Sequence, residues 1–385
     1  MKKLVLIAAV TIASATAFAS KARLDALQNA AHLSDTEDII SKPDQAVVLP
    51  EFATLNFGDR DSAGQEAQGG ITRKTDGAAW GLYLGDRPAA NAFRAFDIDF
   101  LKMENNLNLL YAMDMGDIKW GVGLSYSSSN KKREFARAAV TGPPAVAART
   151  LKDQKQDAAG IYASASSTAG WDAQLRVGLS NNASYTNITT NVENKMKGNT
   201  TVGLSGGYIM DTMYFYGSYL MAGAKYEPQT TANGFDRKDT TLVLGMVNSH
   251  KKDGTDFFYG AALSMVTQKD DGDATTTSLG ANINKKETTT LPVILGVEHD
   301  AMSWLVIRGS ITQNFLYSSD KVSTKNGVTT DGVNTVDDNT VVAAGLGLKF
   351  NKFILDGTFA KASDNAGAIG SDNNFLAKAA LTYMF

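Results

Sequence analysis

Between Trp171 and Ser180 the chain changes character at every residue. Trp171, Ala173, Leu175, Val177 and Leu179 fall on one side, and Asp172, Gln174, Arg176, Gly178 and Ser180 on the other. A repeat of two is the repeat of a β-strand, whose successive side chains point to opposite faces. The segment from Ile118 to Ser127 does the same: Ile118, Trp120, Val122, Leu124 and Tyr126 oppose Lys119, Gly121, Gly123, Ser125 and Ser127. Leu107, Leu109, Tyr111 and Met113 likewise oppose Asn106, Asn108 and Asp114. Similar patterning over 156–166, 200–210, 212–226, 239–249, 257–269, 287–299, 303–317, 339–350, 353–361 and 374–385 brings the clear strands to thirteen. Weaker runs at 51–58, 69–75 and 78–85 raise the count to 16, with 14 the alternative because short strands are the hardest to delimit.

Half-apolar strands can build a soluble sandwich or a membrane-crossing barrel. Three features separate the two. Connections alternate in length: Met115-Gly116-Asp117, Ser167 to Gly170, Asp211-Thr212, Lys251 to Thr255, Asp300 to Ser303 and Asn351-Lys352 are short, whereas 128–155, 182–199, 227–238, 270–286, 318–338 and 363–372 are long. Transmembrane barrels have short periplasmic turns and longer external loops. Aromatic residues gather at strand ends, as at Trp171, Trp304, Phe257, Phe353, Tyr383 and Phe385, and amphipathic rings favour the headgroup zone. Most of the clear strands run 9 to 13 residues, the length that crosses hydrocarbon at a tilt. Backbone groups there have no water to bond, so such a sheet must close on itself. The sequence therefore predicts an all-β fold: an antiparallel transmembrane β-barrel of 14–16 strands, with short periplasmic turns, long external loops and a short, partly helical N-terminal segment.

The two ends carry further signals. Lys2 and Lys3, an apolar run from Leu4 to Ile12, and Ala17-Phe18-Ala19 follow the order of a secretory signal peptide, with cleavage expected near Ala19. Residues 20–46 form an N-terminal segment in which Leu24, Leu27 and Ala31 share a helical face, and Ser34 with Glu37 fits a capping box. That segment either extends into the periplasm, the simpler expectation, or plugs the lumen of a barrel spanning 47–385. The chain has no cysteine, so disulfides, thiolate metal sites and lipidation of an N-terminal cysteine are excluded. A net charge of -3 gives no basic surface for nucleic acid.

At the C-terminus Phe375, Ala377, Ala379, Leu381, Tyr383 and Phe385 share one face. This pattern resembles the C-terminal insertion signal of bacterial outer-membrane barrels of porin-like type. The resemblance implies residence in the outer membrane, contact with its lipid and lipopolysaccharide, recognition of Leu381, Tyr383 and Phe385 by the outer-membrane assembly machinery, and compatibility with a homotrimer. The overall style also resembles porin-like major outer-membrane proteins of predatory bacteria. Residues 32–58 are similar to the N-terminal region of outer-membrane fatty-acid transporters, although Lys42-Pro43-Asp44 stands where that family has Asn-Pro-Ala.

The search for chemistry is mostly negative. His250 and His299 fall beside short turns at the periplasmic end and His32 lies in the N-terminal segment, so none is placed to serve as a base at the outer mouth. No catalytic group, metal site or cofactor is expected, and Asp270, Asp271 and Asp273, like Asp337 and Asp338, read as solvated loop tips rather than calcium loops. The less apolar face of the strands supplies eight candidates for the lumen: Asp114, Lys119, Asp172, Arg176, Glu298, Arg308, Asp356 and Lys378. Mixed charge suits a hydrated pore; the alternative is that these groups pair across a blocked interior. The basic stretch with Lys131, Lys132, Arg133, Arg137 and Arg149 is expected to fold inward as a constriction loop, or else to form a surface lid. The leading expectation is a porin-like channel for passive diffusion of small hydrophilic solutes or ions. Its alternatives are a substrate-selective transporter with an N-terminal plug, and a structural or adhesive surface protein.

Overall fold

The computed structural model describes residues 20–385, apart from 62–63, 87–92, 94–99, 104, 137–148, 188–190, 230–233, 272–282, 325–328, 333–339 and 364–377. The expected signal peptide over residues 1–19 lies outside the described residues. The first strands are β1 (Phe52–Asp61), β2 (Gly64–Thr75), β3 (Ala78–Leu84), β4 (Leu107–Asp114), β5 (Ile118–Ala136) and β6 (Arg149–Ser167). They are followed by β7 (Trp171–Asn187), β8 (Val192–Gly198), β9 (Thr201–Met210), β10 (Met213–Pro228), β11 (Phe235–Lys252) and β12 (Thr255–Asp270). The last are β13 (Ile283–Met302), β14 (Leu305–Thr324), β15 (Thr329–Gly332), β16 (Val341–Phe350), β17 (Phe353–Ser363) and β18 (Lys378–Met384).

Sixteen of these build the wall. β8 and β9 keep one register on β7, with Asn182 opposite Lys197 and Gly178 opposite Thr201, so β8 is the outer continuation of β9. β15 pairs with the outer end of β14, beyond the stretch where β16 pairs with that strand. Every pairing is antiparallel, and β1 closes the ring against β18, with Phe52 opposite Met384 and Phe57 opposite Ala379. The three weak sequence runs are β1, β2 and β3, which settles the count at 16 rather than 14.

Alternation sorts the two faces. Leu55, Trp80, Leu109, Leu124, Leu175, Leu204, Leu244, Leu295, Ile307 and Leu355 are all exposed on the outside. So much exposed apolar surface on one chain is explained by lipid. Aromatic residues crowd the rim on the side of the C-terminus: Tyr111 meets Trp120 at 6.2 Å, and Tyr383 sits between Phe353 and Phe385 at 4.9 and 5.2 Å. Arg73 lies 4.4 Å over the Phe385 ring, a cation at headgroup level.

On the opposite side several strands rise past the membrane. β5 and β6 have 19 residues each, about 60 Å at the rise of an extended strand. The basic stretch expected to fold inward is therefore mostly wall. Lys131 pairs with Gln154, Lys132 with Asp153, Arg133 with Lys152 and Arg149 with Ala136 in a continuous ladder. The expectation of a constriction loop is corrected for these four residues; Arg137 lies outside the described residues. Backbone pairing continued past the lipid boundary, where the apolar half of the pattern stops.

The N-terminal segment is inside the ring. It carries α1 (Lys21–Ala26), α2 (Asp38–Ser41) and α3 (Gln45–Val48). α1 packs on β14, β16, β17 and β18, whereas α2 and α3 pack on β4 and β6 and on β2 to β5. The segment thus crosses from one wall to the other, and the simpler expectation of a periplasmic extension is replaced by the plug. α1 ends where Gln28 and Asn29 turn left-handed, at φ 51° and 55°. The expected capping box is absent: Ser34 donates to Gln45 Oε1 at 3.1 Å, and Glu37 turns to the wall.

Two inward glycines make room for this packing. A Cβ on Gly121 would lie 2.5 Å from the Pro43 carbonyl carbon, and one on Gly345 would lie 2.6 Å from Ala26 Cβ. Gly121→Leu should therefore leave the barrel assembled but weaken plug docking by about 1–3 kcal/mol, the usual cost of overpacking. Limited proteolysis of residues 20–50 in the folded barrel checks this; unchanged protection would contradict the packing described.

Candidate functional site

Arg308 is a fully buried charge in the lumen. It is an inward residue of β14, it stands opposite Glu298 of β13, and its side chain is 0% exposed. Its Nε donates to Glu298 at 2.6 Å, and its Nη1 reaches across β16 to Asp356 of β17 at 2.5 Å. The crossing is open because residue 347 is glycine; a Cβ there would lie 2.8 Å from both terminal guanidinium nitrogens, Nη1 and Nη2. Glu298 is shared. Arg23 of α1 donates to its two oxygens at 2.7 and 3.0 Å, and to Asp35 at 3.1 Å. Ser20 donates to Asp356 at 3.3 Å. Two arginines and three carboxylates thus weld the plug to the wall out of water.

Further hydrogen bonds and one more ion pair extend the joint. Thr358 donates to the Ala22 carbonyl and Ser310 to the Ala26 carbonyl, both at 2.7 Å. Gln28 donates to the Val341 carbonyl at 2.9 Å, and Lys378 of β18 pairs with Asp25. On the far wall Asp44 accepts from Ser166 at 2.6 Å and also from Ser164. Apolar contacts fill the rest: Ile39, Ile40, Ala46 and Leu49 pack with Phe52, Tyr83 and Leu110, while Leu27, Ala30 and Leu33 pack with Val247 and Phe258. His32 lies 4.7 Å from the Phe258 ring with neither ring nitrogen hydrogen-bonded. Burial pushes its pKa down to about 4, so it sits there as a neutral ring.

Glu37 is held differently. Asn56 and Gln68 donate to it at 2.6 and 3.0 Å, and the Tyr83 hydroxyl donates as well. Burial pushes its carboxyl up to about 7, and these hydrogen bonds offset that only in part.

A second closure comes from the outer side. The β3–β4 connection brings Phe93 and Phe100 against Ala183 and Tyr185 of β7, Met196 of β8, and Ala222 and Ala224 of β10. Phe100 meets Tyr185 at 5.4 Å and Tyr226 at 5.9 Å, both edge-on. Sequence reasoning assigned the constriction to 128–155 and passed over this connection. The signal was there: Phe93 and Phe100 are large apolar residues in a stretch with no strand periodicity.

Between plug and wall a recess of about 230 Å³ remains along β7, β9 and β10. Leu24, Asn29, Ala30, Leu33, Asp38 and Lys42 face it from the plug; Gln174, Ser205, Tyr214, Tyr216 and Ser218 face it from the wall. A smaller recess lies at the next inward position of β7, where Arg176 lies 5.5 Å over the Tyr162 ring.

The eight candidate lumen residues divide accordingly. Glu298, Arg308, Asp356 and Lys378 anchor the plug. Asp172 borders the recess, accepting from the Tyr214 hydroxyl at 2.8 Å, with Lys42 4.0 Å away. Arg176 faces the smaller recess. Asp114 and Lys119 meet at 3.9 Å by the turn after β4, at the rim. Arg23, Asp35, Glu37 and Asp44, which complete the joint, were not among the candidates. Among the described residues no group of acidic or histidine side chains could hold a metal ion.

Only lipid satisfies the outer belt, and only closure satisfies the backbone behind it; the fold is that of an outer-membrane β-barrel, here one that carries its own plug. No family model matches the chain, and no curated protein matches it in sequence. Among solved structures it is similar to a FadL homologue of Pseudomonas aeruginosa, at 12% identity over 91% of this chain and 94% of that one, with a TM-score of 0.42. The Ralstonia pickettii toluene transporter TbuX gives 9% identity over 96% and 99%, with a TM-score of 0.42. OmpT, an outer membrane protein of Vibrio cholerae, gives 12% over 87% and 95%, at 0.36. Likenesses this distant carry no argument about what the chain binds or moves.

Two expectations follow for the joint. Arg308→Ala leaves Glu298 and Asp356 short of a cation in a dry site and should cost about 3–5 kcal/mol, the usual penalty for breaking a buried pair from one side. Thermal unfolding of the barrel and protection of residues 20–50 should both fall, and an unchanged melting curve would contradict the burial. Glu37 sets a pH dependence. Its docked carboxyl keeps a proton that a solvated one has lost, so docking is tightest below about 4.5 and weakens as pH rises through about 7. Proteolysis of the plug at a series of pH values should show this slope, and Glu37→Gln should flatten it.

Proposed function

We propose that this protein is a substrate-selective transporter that passes small hydrophilic solutes along a restricted route on the inner face of β7 to β10, rather than a wide diffusion pore. The occupied lumen carries this reading. A barrel of sixteen strands is too wide for wall side chains alone to fill, yet residues 20–50 take up its inner half and Phe93 and Phe100 narrow the outer half beside β7, β8 and β10. Among the described residues two recesses lie along that wall, lined by amides, hydroxyls, four tyrosines, the charged side chains of Asp38, Lys42, Asp86 and Arg176, and the apolar side chains of Leu24, Leu33 and Met103. Passage of this kind is driven by a gradient and needs no cofactor or catalytic group. The outward set of Leu381 and Tyr383 on β18 and Phe385 just after it fits the part of an assembly signal, with Leu381 and Phe385 exposed.

Planar-bilayer recording tests the reading. The full chain should show low conductance, and deletion of residues 20–48 should raise it severalfold without loss of the barrel. Equal conductance of the two proteins would reject a plug-restricted route.

A further inference from the structure

The buried joint does not balance its own charge. Arg23 and Arg308 bring two positive charges, whereas Glu298, Asp35 and Asp356 bring three negative ones. The side chains of Asp35, Arg308 and Asp356 are 0% exposed, so water offers them no compensation. The nearby lysines are placed elsewhere: Lys378 pairs with Asp25, and Lys21 lies by Asn56 and Gln68.

Hydrogen bonds locate the shortfall. Both oxygens of Glu298 and one of Asp35 accept from a guanidinium, and the other Asp35 oxygen accepts from the backbone nitrogen and hydroxyl of Thr36 at 2.6 and 3.2 Å. Asp356 is served on one side only. Its Oδ1 accepts from Arg308 at 2.5 Å, whereas its Oδ2 has a neutral donor alone, the Ser20 hydroxyl at 3.3 Å.

Ser20 is where the missing charge can arise. The residue is 0% exposed, and its carbonyl accepts from the backbone nitrogens of Arg23 and Leu24 as α1 begins. Among the described residues nothing accepts from its own nitrogen, which is three bonds from the Oγ that touches Asp356. A buried backbone donor without a partner costs free energy. Ser20 also follows Ala17-Phe18-Ala19, where the sequence sets the end of a signal peptide. Hydrolysis of the Ala19–Ser20 bond consumes one water. Its oxygen goes to the Ala19 carbonyl carbon, which departs with the leader as a carboxylate, and both hydrogens go to the Ser20 nitrogen, which becomes an ammonium. The joint then holds three charges of each sign.

We propose that Ser20 is the first residue of the mature protein and that its α-ammonium is the third cation of the joint, paired with Asp356, so that the plug docks fully only once the leader is removed; this rests on the signal peptide expected over residues 1–19 and not on what the barrel transports. A positive charge at the start of α1 opposes the helix dipole, but α1 has only six residues, and an unmatched buried carboxylate is the larger cost. The rival is a proton on Asp356, which balances the same count without an ammonium.

Amine labelling of the folded barrel purified from outer membranes separates the two. An α-amine has an ordinary pKa of about 7.7–8.0 and outcompetes lysine for an amine-reactive ester at neutral pH. Intact mass should show a chain that starts at Ser20, and its α-amine should stay unlabelled until the barrel is unfolded. Asp356→Asn should expose the amine to label, whereas Ser20→Ala, which removes the hydroxyl and keeps the ammonium, should leave it protected. A refolded chain with Nα-acetylated Ser20 should form the barrel yet lose protease protection of residues 20–50 at least about tenfold, a modest share of what breaking a buried ion pair from one side costs. The proposal is overturned if the mature chain starts elsewhere or if the α-amine of folded wild-type protein labels as fast as exposed lysines. Protection that survives both acetylation and Asp356→Asn assigns the charge balance to a proton on Asp356 and overturns it as well.

Discussion

A guanidinium group with no access to water has to find its counter-charges within the protein, and in this barrel that requirement joins wall to plug. Arg308 reaches Glu298 on one neighbouring strand and, over Gly347, Asp356 on the strand beyond β16. The wall alone leaves these groups in a wide lumen. Arg23, Asp35 and Ser20 arrive with the N-terminal segment and complete the set. Charges of this kind cost desolvation when buried and are weak evidence for net stability, but they are exacting about geometry. Their role here is to specify where α1 sits.

The rest of the lumen follows from that placement. With α1 pinned to β14 and β16 to β18, the chain must cross to β2 to β6 to reach β1, and α2 and α3 dock there through Glu37 and Asp44. The side toward β7, β9 and β10 is left uncovered by the plug and becomes the recess. Phe93 and Phe100 cover the same side at the outer half. The two closures therefore differ in kind. One is held by ion pairs and hydrogen bonds, the other by edge-on aromatic contacts.

The wall was legible in the sequence because side-chain direction in a strand is a local property, and lipid on one side enforces it residue by residue. Even the weak runs at β1 to β3 were found that way. The pattern failed where lipid ends: Ser128 to Glu134, and Lys285 with Lys286, are polar on both faces, yet their backbones stay paired, so strands were read as loops. The lumen was legible only in part. The facing of Glu298, Arg308 and Asp356 came from alternation, but their partners lie far along the chain: 275 residues separate Arg23 from Glu298, and 336 separate Ser20 from Asp356. No local pattern records such a pairing. Gly347 and Gly345, which make the space, carry no periodic signal of their own.

The absence of cysteine allows the central claim to be tested without interference. Ala26 Cβ and a Cβ on residue 345 would be neighbours only if α1 lies in the lumen against β16. In an Ala26→Cys, Gly345→Cys double variant, mild oxidation of the folded barrel should form one intramolecular disulfide, since the approach falls within reach of a small backbone adjustment. Quantitative bridging, seen as a mobility shift reversed by reductant, is the result predicted by a plug anchored at Arg308. Two thiols that stay unbridged and react independently with a soluble maleimide would contradict it.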